Sequence, residues 1–315
     1  MGGVKVGVVG VGSWGKNIVR ALKELENEDL VKLIGVADIN TELAASVAKT
    51  YNVGSYGRTV KDLVQLGVEA VAVSVPLDKL FPVAREALSL GVHSFIEKPV
   101  STKPDEVNKL MNIAEGSSLI AQPGFIVRYD PVARTVKELM KGRPKSLIFK
   151  RFSARPTHRM MYSIMLDLMI HDIDLALSFV KPQEVDVLSA VGFKEVFGTP
   201  QEVHATLLLN GIPTYLITDG MLPAKVRVVE ITTEEAYYEA SFTDSTVLIK
   251  DRSSTNIRRV SGEEPLKTEL RDFIRAIEGI KPAEAPSLQD ALKCLLVIES
   301  INEKLRIVSS SRLSS

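Results

Sequence analysis

Lys98, Asp167 and His171 are the residues of this sequence best suited to moving a proton. The run Ile164-Met165-Leu166-Asp167-Leu168-Met169-Ile170-His171-Asp172-Ile173-Asp174-Leu175 reads as a helix whose apolar content says it is buried, yet it carries three carboxylates and a histidine. Asp167 and His171 stand four apart and share one helical face, so the carboxylate can hold the imidazole by one ring nitrogen and leave the other to accept a proton. Lys98 lies in Ser94-Phe95-Ile96-Glu97-Lys98-Pro99, at the carboxyl end of a strand-like run, where open α/β sheets bind their ligands. A base, an orienting carboxylate and a cation near a developing alkoxide are what hydride transfer from an alcohol requires. Taken from this helix alone, a structural His–Asp pair buried at an interface is an equally good account. Asp174 is suited to fixing the helix to its neighbours, and Asp167 with His171 lack a third partner, so no metal site is expected.

A hydride needs an acceptor, and the N-terminal segment supplies a place for one. Val8-Val9-Gly10-Val11-Gly12-Ser13-Trp14-Gly15-Lys16 puts glycines at three fingerprint positions between a strand and a helix. Gly10 permits the tight turn, Gly12 leaves room for a pyrophosphate, and Gly15 lets helix and strand pack closely. Backbone N–H groups near Ser13 and Trp14 then face the phosphates at a helix N-terminus. Asp38 closes the second strand, where a carboxylate accepts hydrogen bonds from the adenosine ribose and repels a 2′-phosphate. With Asn40 rather than arginine two residues later, NAD is favoured over NADP. The alternative is that Asp38 merely caps the helix starting near Thr41.

Elements that would position these groups follow from the hydrophobic pattern. Strands are expected at Lys5–Val9, Val31–Ala37, 53–55, Ala70–Val75, His93–Ile96 and Leu119–Gln122, with helices between them at Trp14–Glu26, Thr41–Lys49, Thr59–Leu66, Lys79–Leu90 and Lys103–Glu115. That alternation predicts an α/β fold: a doubly wound parallel sheet of the Rossmann type over residues 1–122. From Pro123 to residue 315 the texture changes to an α+β domain with a mostly antiparallel open sheet. It is entered through a helix capped at Asp130-Pro131 and has strands at 146–154, 184–193, 202–210, 213–219, 224–231, 235–241 and 245–250. Helices at Pro265–Glu278 and Ser287–Leu305 and a loose Ser309-Ser310-Ser311 tail close the chain, the last helix being free to pack back on the first domain.

Lysine plus arginine equal aspartate plus glutamate at 39 each, and the densest basic stretch, Lys150 to Arg159, is dispersed, so no nucleic-acid partner is expected. The most nearly unbroken apolar run, Ala70 to Leu77 with Ser74 inside it, is far short of the ~20 residues of a membrane span. A single cysteine, Cys294, suits a reducing compartment, and with no export signal visible a cytoplasmic protein is expected.

Gly10-Val11-Gly12-Ser13-Trp14-Gly15, Glu97-Lys98-Pro99, Gly124-Phe125-Ile126-Val127-Arg128-Tyr129-Asp130-Pro131 and Asp167-Leu168-Met169-Ile170-His171-Asp172-Ile173-Asp174 together resemble the glucose–fructose oxidoreductase/inositol dehydrogenase (Gfo/Idh/MocA) family. The resemblance implies chemistry on a ring hydroxyl of a sugar, cyclitol or nucleotide sugar, with His171 as acid/base, Asp167 as its orienting partner and Lys98 positioning the reacting oxygen. It also places Pro76, Glu97 and Lys98 at the cofactor, and Arg128, Arg155 and His158 at the substrate. A homodimer or homotetramer through the second domain's sheet is implied as well. The compact helix around His171 most resembles members acting at C3 of UDP-linked N-acetylhexosamines or their uronic acids. Arg151, Arg155, His158 and Arg159 would then meet a diphosphate or carboxylate, a solvated basic loop being the plain alternative. Departures are Met160-Met161-Tyr162-Ser163 in place of a glycine-rich turn, Phe179 in place of a tryptophan, and Ser74-Val75-Pro76-Leu77-Asp78 in place of a Thr-Pro-x-x-His pattern. A sugar or cofactor sensor without chemistry and a reductase of a non-sugar carbonyl are the competing functions.

Overall fold

The computed structural model describes residues 3–280, 282 and 284–308, and the Ser309-Ser310-Ser311 segment expected to form a tail lies outside them. In the first part, β1 (Val4–Val9), α1 (Ser13–Glu26), β2 (Val31–Ala37), α2 (Thr41–Thr50), β3 (Ser55–Gly57), α3 (Val60–Gln65), β4 (Ala70–Val73), α4 (Leu77–Ser89), β5 (His93–Glu97), α5 (Pro104–Gly116) and β6 (Ala121–Gly124) alternate. The six strands are parallel in the order β3-β2-β1-β4-β5-β6, so the winding reverses between β1 and β4. The carboxyl ends of those two strands are where such a sheet binds ligands. Strand β4 reads Ala-Val-Ala-Val and is buried at every residue, as expected when helices cover both faces. Strand β6 starts two residues later than the apolar pattern suggested and contains Pro123, which an edge strand tolerates because its missing N–H faces no partner.

The second part begins with α6 (Pro131–Leu139), where Asp130 Oδ1 accepts from the Val132 amide at 2.9 Å and Pro131 fills the first turn, as the sequence predicts. There follow β7 (Ser146–Phe152), a π-helical turn at Met165–Met169 and α7 (Ile170–Val180). Next come β8 (Val185–Val196), β9 (Thr199–Leu209), β10 (Ile212–Asp219), β11 (Val226–Thr232), β12 (Ala236–Ser241), β13 (Thr246–Asp251) and β14 (Thr255–Arg259). The chain continues through α8 (Pro265–Ile277), α9 (Leu288–Lys304) and β15 (Leu305–Ile307). One mixed sheet takes the order β14-β13-β12-β11-β7-β10-β9-β8-β15, antiparallel except for the β7/β10 and β8/β15 pairs. Asn210 and Gly211, both at positive φ (48° and 78°), make the tight turn joining β9 to β10. Strands β14 and β15 were not anticipated, since the first is exposed throughout and the second is three residues long.

By its contacts the chain divides into two compact units, one of residues up to Ile126 with Glu263–Leu292, the other of Val127–Gly262 with the residues from Lys293 on. The expected division at 122/123 is therefore corrected twice. The boundary moves to 126/127, and α8 belongs to the first unit. There Leu266, Leu270, Phe273 and Ile274 share a core with Ile18, Leu22 and Leu25 of α1, and the Phe273 ring centroid lies 5.9 Å from that of Phe95. Ion pairs from Lys267 and Arg271 to Glu28, at 2.6 and 2.8 Å, border the same contact. None of the described helices is long and apolar enough to cross a membrane.

Candidate active site

In the first unit, the turn from β1 into α1 is built by glycines that do different jobs. Gly10 has φ 84°, and a Cβ there would stand 2.2 Å from the Ser74 carbonyl oxygen at the end of β4. A Cβ at Gly15 would stand 1.9 Å from the Gly10 carbonyl oxygen, so helix and turn touch only because the side chain is missing. At Gly12 a Cβ would meet nothing within 4 Å. Packing does not demand glycine there, and the open space in front of it is what a pyrophosphate fills. Helix α1 has Gly12 as an N-cap that offers no side-chain bond, and its first helical bond runs from the Lys16 amide to the Gly12 carbonyl. The amides of Ser13 and Trp14 therefore precede any intrahelical pairing, as an anion site requires.

Asp38 sits half-buried just past β2, accepting from the Val11 amide at 3.0 Å and from the Asn40 amide at 2.9 Å. It is not the cap of α2: Asn40 is, its Oδ1 accepting from the Leu43 amide at 3.0 Å. Asp38 thus ties the strand end to the glycine turn, and Pro76, exposed at the start of α4, stands at the end of β4. These groups fit a dinucleotide.

Strand β5 ends at Glu97, whose Oε1 accepts from Trp14 Nε1 at 2.5 Å, a link between two expected cofactor residues that the sequence did not signal. Gly124 on neighbouring β6 makes room for it, since a Cβ would press on Phe95 at 3.0 Å and on the Glu97 carboxyl at 3.2 Å. Burial pushes the Glu97 carboxyl up to about 7, outweighing the Trp14 bond and the adjacent Lys98 ammonium. Lys98 is half-buried, its peptide bond to Pro99 is cis, and Val100 follows with φ 60°. A β-branched residue in the left-handed region is strained, and such strain gathers at functional sites.

In the second unit the helix bearing His171 departs from the regular helix expected over 164–175: residues Met165–Met169 form a π turn that leads into α7. Single π turns inside helices recur at functional sites. Each carboxylate of this segment meets an arginine. Arg151 of β7 grips Asp172 with two bonds of 2.7 and 2.6 Å, Arg128 grips Asp174 at 2.8 and 2.6 Å, and Arg155 Nε reaches Asp167 at 3.0 Å. The side chains of Arg151 and Arg155 are 3% and 2% exposed, so these are charges taken out of water, tolerable only because they are paired. Burial lowers the affinity of Arg155 for its proton and Asp167 opposes that loss. Arg227, across from Arg151 on β11, is brought down to about 10 by burial and by the charge of Arg151.

The structure thus brings Arg155 to Asp167 and places His171, half-buried, in the first turn of α7. Arg128 and Arg155, expected at the substrate, are the ion-pair partners of Asp174 and Asp167, which gives the enclosed carboxylates their countercharges. His158 and Arg159 are exposed on the turn Thr157–Arg159, and Arg159 Nη1 approaches Asp167 Oδ1 at 3.5 Å. Gln201 and Thr199, which bond the same loop, carried no sequence signal: their role depends on β9 arriving beside it.

Residues 4–125 match the model of an oxidoreductase family with an NAD-binding Rossmann fold. Over 290 residues, 89% of this chain and 90% of the relative, the sequence is 28% identical to UDP-N-acetylglucosamine 3-dehydrogenase of Acidithiobacillus ferrooxidans. The solved structure of that enzyme matches with a TM-score of 0.89 and 27% identity, covering 97% of this chain and 98% of the other. A 3-ketoreductase from Actinomadura kijaniata, in complex with NADP and TDP-benzene, shares the fold with a TM-score of 0.84 at 19% identity, over 98% and 99% of the two chains. Residues 4–125 thus match an NAD-binding oxidoreductase family, and similarity to a dehydrogenase runs along nearly the whole chain.

Proposed function

We propose that this oxidoreductase transfers a hydride between a ring-hydroxyl carbon of a nucleotide sugar and NAD, at C3 of a UDP-linked N-acetylhexosamine or its uronic acid, with His171 as the acid/base. The observation that carries the reading is the Asp167 carboxylate, fixed by the buried Arg155 four residues ahead of the half-buried His171. A carboxylate held in that place can orient the imidazole and stabilise its charged form, and His171 takes the hydroxyl proton during oxidation and returns it during reduction. Lys98 positions the reacting oxygen and stabilises the negative charge that develops on it. The nicotinamide, when bound, supplies the hydride acceptor. Gly12, the first amides of α1 and Asp38 hold the dinucleotide, and the Asp38 charge, followed by exposed Ile39 and by Asn40, favours NAD over NADP.

Similarity to UDP-N-acetylglucosamine 3-dehydrogenase over 89% of the chain supports the substrate class. A dimer or tetramer through the outer face of the nine-stranded sheet is part of the same reading. Tyr215 is 41% exposed there, beside half-buried Ile148 on β7. Light scattering of the purified protein checks it, and a monomer would remove it.

The decisive test is turnover with NAD against a panel of neutral sugars, sugar phosphates and UDP-sugars, followed as absorbance of the reduced cofactor. Activity that is lost in Lys98→Ala and His171→Ala, with dinucleotide binding kept in His171→Ala, supports the reading. Dinucleotide binding without turnover of any member turns the protein into a sensor, and turnover of non-sugar carbonyls alone removes the substrate class.

A further inference from the structure

Between β7 and the π turn the chain makes a short loop that is pinned from beneath. The Arg155 guanidinium is spent inside the protein: Nε on Asp167, Nη1 on Gln201 Oε1 at 3.1 Å, and Nη2 on the carbonyls of Arg159 and of Tyr162, the latter at 2.9 Å. Gln201, with no exposed surface, answers by donating Nε2 to the Met160 carbonyl at 3.0 Å, to which Thr199 Oγ1 also donates at 2.9 Å. Gly220 completes the mount, for a Cβ there would stand 2.6 Å from Arg155 Cδ. Three backbone carbonyls of the loop, those of Arg159, Met160 and Tyr162, are thereby held by side chains from beneath, which a plain solvated loop does not require.

What this mount presents outward is Arg159, whose side chain is 52% exposed and approaches Asp167 Oδ1 at 3.5 Å, the outer limit of a hydrogen bond. A guanidinium on a fixed backbone, held only loosely and next to the carboxylate that serves His171, is arranged to receive an anion carried by the substrate. We propose that the loop from Pro156 to Tyr162 is the subsite for the diphosphate of the substrate, with Arg159 as the group that meets it and Arg155 and Gln201 as the residues that position it. This subsite rests on the nucleotide-sugar reading above and adds the residue that reads the nucleotide.

The test is calorimetric titration of the NADH-saturated protein with UDP, so that the cofactor's own diphosphate site is filled, alongside kinetics with UDP-N-acetylglucosamine and an unphosphorylated N-acetylhexosamine. Arg159→Ala is expected to weaken UDP binding and raise KM for the UDP-sugar by roughly 10- to 100-fold, the effect of losing a charge-assisted hydrogen bond. It lowers kcat/KM for the UDP-sugar at least about tenfold more than for the unphosphorylated sugar. Arg159→Lys is expected to recover part of the affinity, because the charge persists without the fork. Equal UDP affinity in wild type and Arg159→Ala, with the wild type turning over UDP-sugar, overturns the subsite and leaves the proposed reaction standing. A wild type that oxidises sugars but binds no UDP overturns both the subsite and the nucleotide-sugar class. A parallel loss on neutral and UDP-linked sugars in Arg159→Ala also overturns it, by showing that Arg159 acts through Asp167 instead.

Discussion

The glycines of the β1–α1 turn separate two demands that one motif makes. Gly15→Ala puts a methyl 1.9 Å from a carbonyl oxygen, so it is expected to cost about 1–3 kcal/mol of stability in urea denaturation. Gly12→Ala enters open space, so it should unfold like the wild type while losing at least about tenfold in NADH affinity, read by fluorescence titration. If Gly12→Ala binds the dinucleotide normally, the space in front of it serves something else. Glu97 carries a second prediction. Its carboxyl is raised from 4.5 to about 7, so the stability conferred by the neutral acid is complete below its unfolded value and disappears as pH climbs through about 7. The thermal midpoint should therefore fall between about pH 5 and pH 7.5, and Glu97→Gln should flatten that part of the curve. Parallel profiles for the two proteins would refute the assignment. His171→Ala is expected to lower kcat by about 10²- to 10⁴-fold without changing dinucleotide affinity. At this scale the sequence was informative for Gly10, Gly12 and Gly15, because backbone geometry fixes their spacing. It was silent on the Trp14–Glu97 bond, which joins residues 83 apart.

Helix α7 and its π turn show how charge can be stored in an apolar element. Asp172 and Asp174 lie on a helix whose neighbours are almost all buried, and arginines from β7 and from the turn before α6 neutralise them. Removing one partner strands the other, so Arg151→Ala should cost about 3–5 kcal/mol in chemical denaturation. Replacing both members, Arg151→Met with Asp172→Leu, should recover most of that loss. If the single variant costs under about 1 kcal/mol, the carboxylate has found water and the helix is less enclosed than its burial indicates. The sequence displayed the three carboxylates and the basic stretch but not their pairing. Arg151 and Arg155 look like members of one solvated loop until β7 turns alternate side chains to opposite faces and sends Arg151 inward. Strand β14, Thr-Asn-Ile-Arg-Arg, was illegible for the opposite reason: every residue is exposed, so no apolar alternation marks it.

Over the whole molecule, β1, β2, β4 and β5 were readable to within two residues, since buried strands must be apolar along their length, whereas β3, which is not buried, and the edge strand β6 were each expected two residues too early. The ownership of α8 was not readable. Its amphipathic face announces burial, yet nothing in residues 265–277 says that the partner is α1, more than two hundred residues earlier. This sets an expectation for dissection. Residues 1–126 alone should lack a cooperative melt by circular dichroism, and joining them to 263–292 through a flexible linker should restore both the melt and NADH binding. A cooperative melt of the shorter piece would show α8 to be a covering and not a core element. On the ribosome, the same arrangement imposes a waiting period. The nucleotide-binding half is the first to be made, yet it stays open until Leu266, Leu270, Phe273 and Ile274 emerge, a delay on the order of ten seconds at ~5–20 residues per second. During that interval the nascent chain shows an oily α1 flank with nothing to cover it, so chaperone occupancy in the cell should peak well after the first half has been translated.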